Sequence, residues 1–323
     1  MRVLVAGAGG AVGSRLVPEL VAHGHQVTAT TRSPKKLARL RTLGATPVIL
    51  DGLDGTAVDE VVASAEPEAI IHEMTALSEP PDLRHFDRWF ARTNELRTTG
   101  TEHLLAAAAA AGVSRVVAQS FVGWNNARTG GPVKTEADPL DPHPLAAQRE
   151  TMAALVLLED ALLDAPLDGI VVRYGSLYGP GLSEPMLALL RRRLMPIIGA
   201  GSGVWSWTHL DDAASGTVAA LERGRPGIYN IVDDDPAPVS EWLPYLAECV
   251  DAKPPLRVPA WLGRLLAGEV ATVWMTEGRG ASNAKARQEL DWEPAWSSWR
   301  LGFREGMSPP VPQPAGEPLH RAA

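Results

Sequence analysis

Three glycines near the start of the chain, Gly7, Gly10 and Gly13, are spaced to cradle a phosphate. They lie in the run Gly7-Ala8-Gly9-Gly10-Ala11-Val12-Gly13. An apolar stretch, Arg2–Ala6, precedes the run and an amphipathic helical pattern follows it. Gly7 permits a tight turn, Gly10 lets the backbone approach a pyrophosphate, and Gly13 lets helix and strand pack closely. Free N–H groups and the dipole at the helix start favour an anion there. A merely structural turn has the same composition, but a strand before it and a helix after it favour a dinucleotide site. At the end of the next apolar run stands Thr30-Thr31-Arg32-Ser33, where an acidic residue would accept from a ribose 2′-OH. Arg32 instead offers a planar fork to a 2′-phosphate, with Lys35 and Lys36 close behind. This favours NADP(H), with NAD(H) as the alternative because Arg also stacks on adenine; a solvated basic helix start is the plain reading.

The elements that must position these groups alternate along the first two-thirds of the chain. Candidate strands are Arg2–Ala6, Gln26–Thr30, Thr46–Leu50, Ala69–His72, Arg115–Gln119 and Gly169–Arg173. They are apolar throughout, as parallel strands covered on both faces require. Helical stretches lie between them at Gly13–His23, Pro34–Leu43, Gly55–Ala65, Asn94–Ala111 and Thr151–Ala165. The expected class is α/β, a Rossmann-type doubly wound parallel sheet. Residues 1–178 read as the dinucleotide-binding domain, with segments near 205–235 returning to it. Residues 179–307 read as a smaller, mixed substrate lobe, where Trp residues cluster. The Pro-rich 308–323 stretch reads as a mobile tail.

Several further segments resemble the extended short-chain dehydrogenase/reductase family, the nucleotide-sugar epimerase and dehydratase group. These are Asp51-Gly52-Leu-Asp54, Ile70-Ile-His72, Asn94…Gly100-Thr101, Arg173-Tyr174-Gly-Ser-Leu-Tyr178-Gly-Pro-Gly181, Thr208-His-Leu-Asp211-Asp212 and Lys285–Pro294. The resemblance implies adenine contact by Asp51 and Gly52, and a cofactor backed by Met74, Thr75, Ala76 and Asn94. It implies catalysis by a Tyr-x-x-x-Lys pair with an upstream Ser or Thr. Ser120 fits that Ser and also reaches toward the cofactor, and Trp124 sits at the substrate mouth.

The Tyr-x-x-x-Lys pair is missing. Four residues beyond Tyr174, Tyr178, Tyr229 and Tyr245 stand Tyr178, Leu182, Asp233 and Cys249. Anchored on Glu159, the two positions fall at Thr151 and Leu155, and neither can titrate usefully. Three explanations stay open. A reductase could take its proton from another group, with His143, Glu150, Arg149, Tyr174 and Tyr178 as candidates, and Ser120 would hydrogen-bond the substrate oxygen. The cofactor could serve non-redox elimination, isomerisation or cyclisation. The chain could be a nucleotide-binding regulator without turnover. His143, between Pro142 and Pro144, equally reads as a surface loop residue. Thr151 and Tyr178 join Trp124 as candidate substrate contacts, although Tyr178 also suits a structural turn.

Glu73 is a base near the nicotinamide or, slightly preferred, a carboxylate turned to solvent. His72 reads as a packed strand-end residue. His209-Leu-Asp211-Asp212 looks like a metal motif in isolation but suits a helix start capped by Asp211 or Asp212, so no metal is expected. Asp233-Asp-Asp235 reads as a turn, and Arg191-Arg-Arg193 as a solvated helix end. Ten Trp against four Tyr and four Phe could line an apolar pocket or fill a lobe core. A net charge of −8 argues against nucleic acid or an anionic membrane as the main partner, leaving a small-molecule substrate. The single Cys249 excludes an intrachain disulfide and a cysteine-based zinc site. The sequence shows no membrane-spanning run and no signal-peptide pattern, which places the expectation in the cytoplasm. The Ala-rich Leu104–Ala111 stretch and its neighbour Met152–Leu163 could form a homodimer contact.

Overall fold

The structure is a computed structural model and describes residues 1–77 and 81–307. The expected mobile tail at 308–323 lies outside the described residues. Seven strands form one sheet: β1 Arg2–Ala6, β2 Gln26–Thr31, β3 Thr46–Ile49, β4 Ala69–His72, β5 Arg115–Phe121, β6 Asp168–Tyr174 and β7 Gly227–Ile231. Their order is β7-β6-β5-β4-β1-β2-β3 and every pairing is parallel. The chain winds outward from β1 in one direction and from β4 in the other, so the carboxyl ends of these two strands open a crevice.

The covering helices are α1 Gly13–Ala22, α2 Leu37–Thr42, α3 Gly55–Ala65, α4 Phe86–Arg97, α5 Thr99–Ala110, α6 Arg149–Leu163, α7 Glu184–Arg191, α8 Leu210–Arg223, α9 Val239–Cys249, α10 Ala260–Glu277, α11 Ala284–Leu290 and α12 Trp299–Glu305. Leu16, Val17 and Leu20 of α1 pack with Leu210, Ala213 and Val218 of α8 on one face of the sheet. Val58 and Val62 of α3, Leu104 and Ala107 of α5, and Leu158 and Leu162 of α6 cover the other. The helix expected over Asn94–Ala111 is in fact two. It breaks at Thr98, whose ψ of −86° is not helical and whose hydroxyl donates to the Asn94 carbonyl at 2.9 Å. Asn94 therefore lies in the last turn of α4.

Of the two segments expected to rejoin the main sheet, Gly227–Ile231 does so as β7. Trp207–His209 instead pairs in parallel with Ser176–Tyr178. The α8 start is capped by the His209 ring, which accepts from the Asp211 amide at 3.1 Å, rather than by Asp211 or Asp212. Asp212 reaches across to accept from the Ala295 and Trp296 amides at 2.8 and 3.0 Å. Likewise Asp233, expected in a turn, is buried and accepts from the Trp207 and Trp299 amides. Part of the Trp cluster fills the lobe: Trp207, Trp242 and Trp299 are fully buried with Phe303 and Tyr178. No helix among the described residues is long and apolar enough to cross a membrane.

One buried ion pair binds α6 to the sheet. Glu159 accepts from Arg173 Nε of β6 at 2.9 Å and again from its Nη2, and both side chains are nearly inaccessible. The Ser120 hydroxyl of β5 donates to the same carboxylate at 2.6 Å. Removing one partner of such a pair strands the other charge in a low dielectric. Glu159→Ala should therefore lower unfolding free energy by about 3–5 kcal/mol in urea titrations; a loss below ~1 kcal/mol would show that the pair does not hold the helix.

Candidate functional site

The glycine turn closes over the end of β4. Gly7 has φ +95°, and a Cβ there would lie 2.5 Å from the Glu73 carbonyl oxygen. A Cβ on Gly13 would lie 2.6 Å from Ala8 Cα, so the start of α1 tolerates no side chain. The Gly10 amide donates to the Gly7 carbonyl at 3.0 Å, while the Ala11 and Val12 amides have no acceptor among the described residues. Those two N–H groups, beside the positive end of the α1 dipole, suit a pyrophosphate. Gly9 stacks on Thr31, where a Cβ would meet the hydroxyl at 2.7 Å, and its carbonyl accepts from Lys36 Nζ at 2.6 Å.

At the end of β2 the exposed Arg32 guanidinium makes no hydrogen bond or ion pair among the described residues. Asp51, beyond β3, accepts from the Leu53 amide at 3.2 Å and pairs with Arg92 at 3.1 Å. A Cβ on Gly52 would lie 2.4 Å from Met74 Sδ, so Met74 packs under that backbone. The Ala76 amide donates to Thr93 Oγ1 at 3.0 Å; Thr75 beside it is half-buried. Asn94 donates to Thr151 Oγ1 at 3.1 Å and keeps a buried, unpartnered Oδ1. These residues follow the carboxyl edge past β3, β2, β1 and β4. The side-chain-free cradle at Gly7 and Gly13, with its open amides, fits a nicotinamide dinucleotide.

The expected catalytic and substrate residues are dispersed, and several expectations need correction. Thr151 is fully buried, and its hydroxyl donates to Asp87 Oδ1 at 2.7 Å; that bond closes the α6 start onto α4 and withholds Thr151 from substrate. Leu155, four residues on, is also fully buried. The Ser120 proton is committed to Glu159, in the interface between sheet and α6. The His143 ring is exposed in its Pro-flanked loop, and among the described residues no side-chain hydrogen bond or ion pair orients it, as in the surface-loop reading. Tyr174 does not face the cleft: its hydroxyl donates to Glu73 Oε1 at 2.7 Å and contacts Thr217 Oγ1 of α8 at 2.5 Å. Tyr178 is buried edge-on to Trp207, His209 and Phe303, in the lobe core.

Glu73 is likewise corrected from a solvent position to a buried one, with Oε2 unpartnered. Burial pushes its carboxyl up to about 8, against a smaller opposing pull from the Tyr174 hydroxyl. It is thus a neutral acid at pH 7. The neighbouring His72 is packed as expected, and burial lowers its ring to about 4. Arg97 of α4 is buried with one Nη1 unpartnered, and burial brings it down to about 10 against the pull of Glu159.

Beyond the ends of β5 and β6 the sheet meets the lobe in a crevice lined by Phe121, Trp124, Ser176, Trp205, Trp274 and Arg279. Trp124 and Trp274 stack at 5.6 Å between centroids, and Phe86 of α4 meets both edge-on at 5.2 and 5.4 Å. Trp124 thus lines this crevice. Arg279 and Phe86 escaped sequence reasoning. Phe86 and Phe90 had a helical i, i+4 spacing to signal a shared face, but nothing local marks Arg279.

The buried Glu73 acid sets a pH response. The folded chain keeps its proton up to about pH 8, whereas an unfolded chain releases it near the ordinary 4.5. Between those values the folded state binds the extra proton, so stability falls as pH rises and levels off above the upper one. Glu73→Gln should remove that fall. The wild-type minus variant stability should change by on the order of a few kcal/mol between pH 5.5 and 8.5, by urea titration. Parallel curves would overturn the assignment.

The comparisons with known proteins bear on the same residues. The model of the NAD dependent epimerase/dehydratase family matches residues 3–232. A "3-diazoavenalumate denitrifying reductase" of a Streptomyces species is 41% identical over 315 residues, covering 94% of this chain and 99% of that protein. A "2-alkyl-3-oxoalkanoate reductase" of Stenotrophomonas maltophilia is 28% identical over 264 residues, covering 78% and 76%. Among solved structures, a UDP-glucose 4-epimerase of Thermotoga maritima superposes with TM-score 0.73 at 21% identity, covering 94% and 96%. A human epimerase family protein solved with NADPH gives TM-score 0.72 at 22% identity, covering 95% and 99%. With its glycine cradle, parallel sheet and near full-length likeness to a reductase, the chain belongs to the NAD dependent epimerase/dehydratase family.

Proposed function

We propose that this protein is an NADP(H)-dependent reductase whose acceptor needs no proton from the enzyme, a diazo compound in its arenediazonium form. The observation that carries the reading is the pair of buried, non-titrating residues Thr151 and Leu155, where the family resemblance implies a Tyr and a Lys. When bound, the cofactor supplies a hydride from nicotinamide C4. A ketone that accepts hydride becomes an alkoxide and calls for a proton donor. A diazonium ion does not: Ar–N2⁺ plus H⁻ gives Ar–H plus N2. The new C–H bond takes the hydride pair, the C–N pair leaves with dinitrogen, and charge and atoms balance without a proton.

The chain's own residues supply binding, orientation and water exclusion. Ala11 and Val12 amides receive the pyrophosphate, and Met74 and Gly52 close the floor of the cleft. Trp124 and Trp274 stack on each other and help exclude water from the region beyond β5. The name of the Streptomyces relative supports the same acceptor class. For the cofactor, the unengaged Arg32 fork and the absence of an acidic residue at the end of β2 support the 2′-phosphorylated form.

Two experiments test this reading. With an arenediazonium carboxylate and NADPH, nicotinamide absorbance should fall in step with dinitrogen release, and NADPH deuterated at C4 should leave deuterium on the ring carbon. Oxidation of NADPH by ketones alone would sink the diazo assignment, and tight cofactor binding without oxidation by either would sink the reductase. Arg32→Asp should weaken NADPH binding by roughly tenfold or more while NADH changes far less; equal losses would remove Arg32 from the 2′-phosphate.

A further inference from the structure

Arg97 is a buried cation that the fold leaves without an acceptor. It stands in the last turn of α4 and is only 7% exposed. Its guanidinium makes no hydrogen bond or ion pair among the described residues. The guanidinium carbon lies 5.3 Å from the centre of the Phe90 ring, which offers a π face and no lone pair. Glu159 of α6 is near enough for its charge to pull on Arg97, yet both its oxygens are occupied by Arg173 and Ser120. The charge of Arg97 also acts on His72, so the guanidinium lies between the carboxyl end of β4 and α6. Nη1 is sealed there, whereas Nε and Nη2 are neither sealed nor bonded. A cation held this deep without acceptors is costly, and a cation–π contact offsets only part of that.

We infer that Arg97 holds the nicotinamide ribose of the bound dinucleotide, donating from Nε and Nη2 to its two hydroxyl oxygens. The inference rests on the NADP(H) reading above and deepens it. The order of groups along the sheet edge leads to it. Arg32 at the end of β2 and Asp51 beyond β3 take one end of the cofactor, and the open amides at the start of α1 take the pyrophosphate. A dinucleotide anchored so runs on past β4, and the group that follows its pyrophosphate is the second ribose. The family resemblance implies a Lys at position 155, but Leu155 is fully buried and has no donor. Arg97 reaches the same seam from the neighbouring helix. Asn94, one turn earlier on α4, ties that helix to α6 through Thr151 at 3.1 Å and so fixes the stem from which Arg97 projects. The rigid fork of a guanidinium presents two donors side by side, which suits vicinal hydroxyls. Arg97 moves no proton in this role.

The test follows binding to the whole protein by calorimetry and needs no turnover. The wild type, Arg97→Met and Arg97→Lys are each titrated with NADP⁺ and with 2′,5′-ADP, which keeps adenine and the 2′-phosphate but lacks the nicotinamide ribose. Arg97→Met should weaken NADP⁺ by about tenfold or more and leave 2′,5′-ADP unchanged. Arg97→Lys should recover part of the loss, because an ammonium also donates to hydroxyls. A purely structural Arg97 would move the two ligands together or move neither, and either result would overturn the inference. Urea midpoints report whether the variants fold. For the wild type itself, a crystal structure with NADP⁺ should place the Arg97 guanidinium within hydrogen-bond reach of the nicotinamide ribose hydroxyls; a guanidinium turned away from them would overturn the inference whatever the variants do. Failure of the wild type to bind 2′,5′-ADP would instead remove the NADP(H) reading, and this inference with it.

Discussion

The carboxylate of Glu159 carries the arrangement of the whole site. Two nitrogens of Arg173 and the hydroxyl of Ser120 converge on it from adjacent strands, inside an interface with almost no solvent. A charge buried that deeply is tolerable only when its partners hold it in a defined geometry. The consequence is a fixed rotation of α6 about its own axis. With Glu159 turned to the sheet, Leu155 and Thr151, one and two turns earlier, face inward too. Leu158 and Leu162 then pack on the sheet face. The helix that could have carried a proton donor is thereby committed to structure along its whole inner side.

That commitment narrows the chemistry. Thr151 ties α6 to α4 through Asp87 and Asn94, and Leu155 fills apolar volume. The α6 positions where the family resemblance implies a Tyr and a Lys therefore carry no titrating side chain. A substrate that loses a neutral, stable leaving group on reduction is compatible with such a site. One that accumulates negative charge on oxygen is not well served by it.

The other buried acid lies under the glycine turn. Glu73 supports Gly7 through its backbone and meets Tyr174 and Thr217 through its side chain. It joins the cofactor turn to β6 and α8. Protonated, it is an uncharged hydrogen-bonding group in an apolar layer; ionised, it is an unpaired charge in that layer. The cofactor cradle and the packing of α8 are thus linked through one proton.

Much of this was legible in the residues themselves. The apolar β-branched runs marked the parallel strands, because a strand covered on both faces has no polar alternation to show. Gly7 and Gly13 marked the turn, because only glycine fits where a Cβ would strike Glu73 or Ala8. Arg32 and the missing Tyr-x-x-x-Lys pair were likewise visible as residue types at fixed spacings. What the chain order could not reveal was which way each polar side chain turns. Glu73 and Tyr174 are 101 residues apart and meet only because β4 and β6 bring them to one face of the sheet. Arg279 reaches the crevice because Gly280–Ala281 pairs with Val133–Lys134. Local spacing determined the elements and the cofactor turn; long-range packing alone decided which polar groups were buried, paired or left open to a ligand, because burial and pairing depend on neighbours distant in sequence.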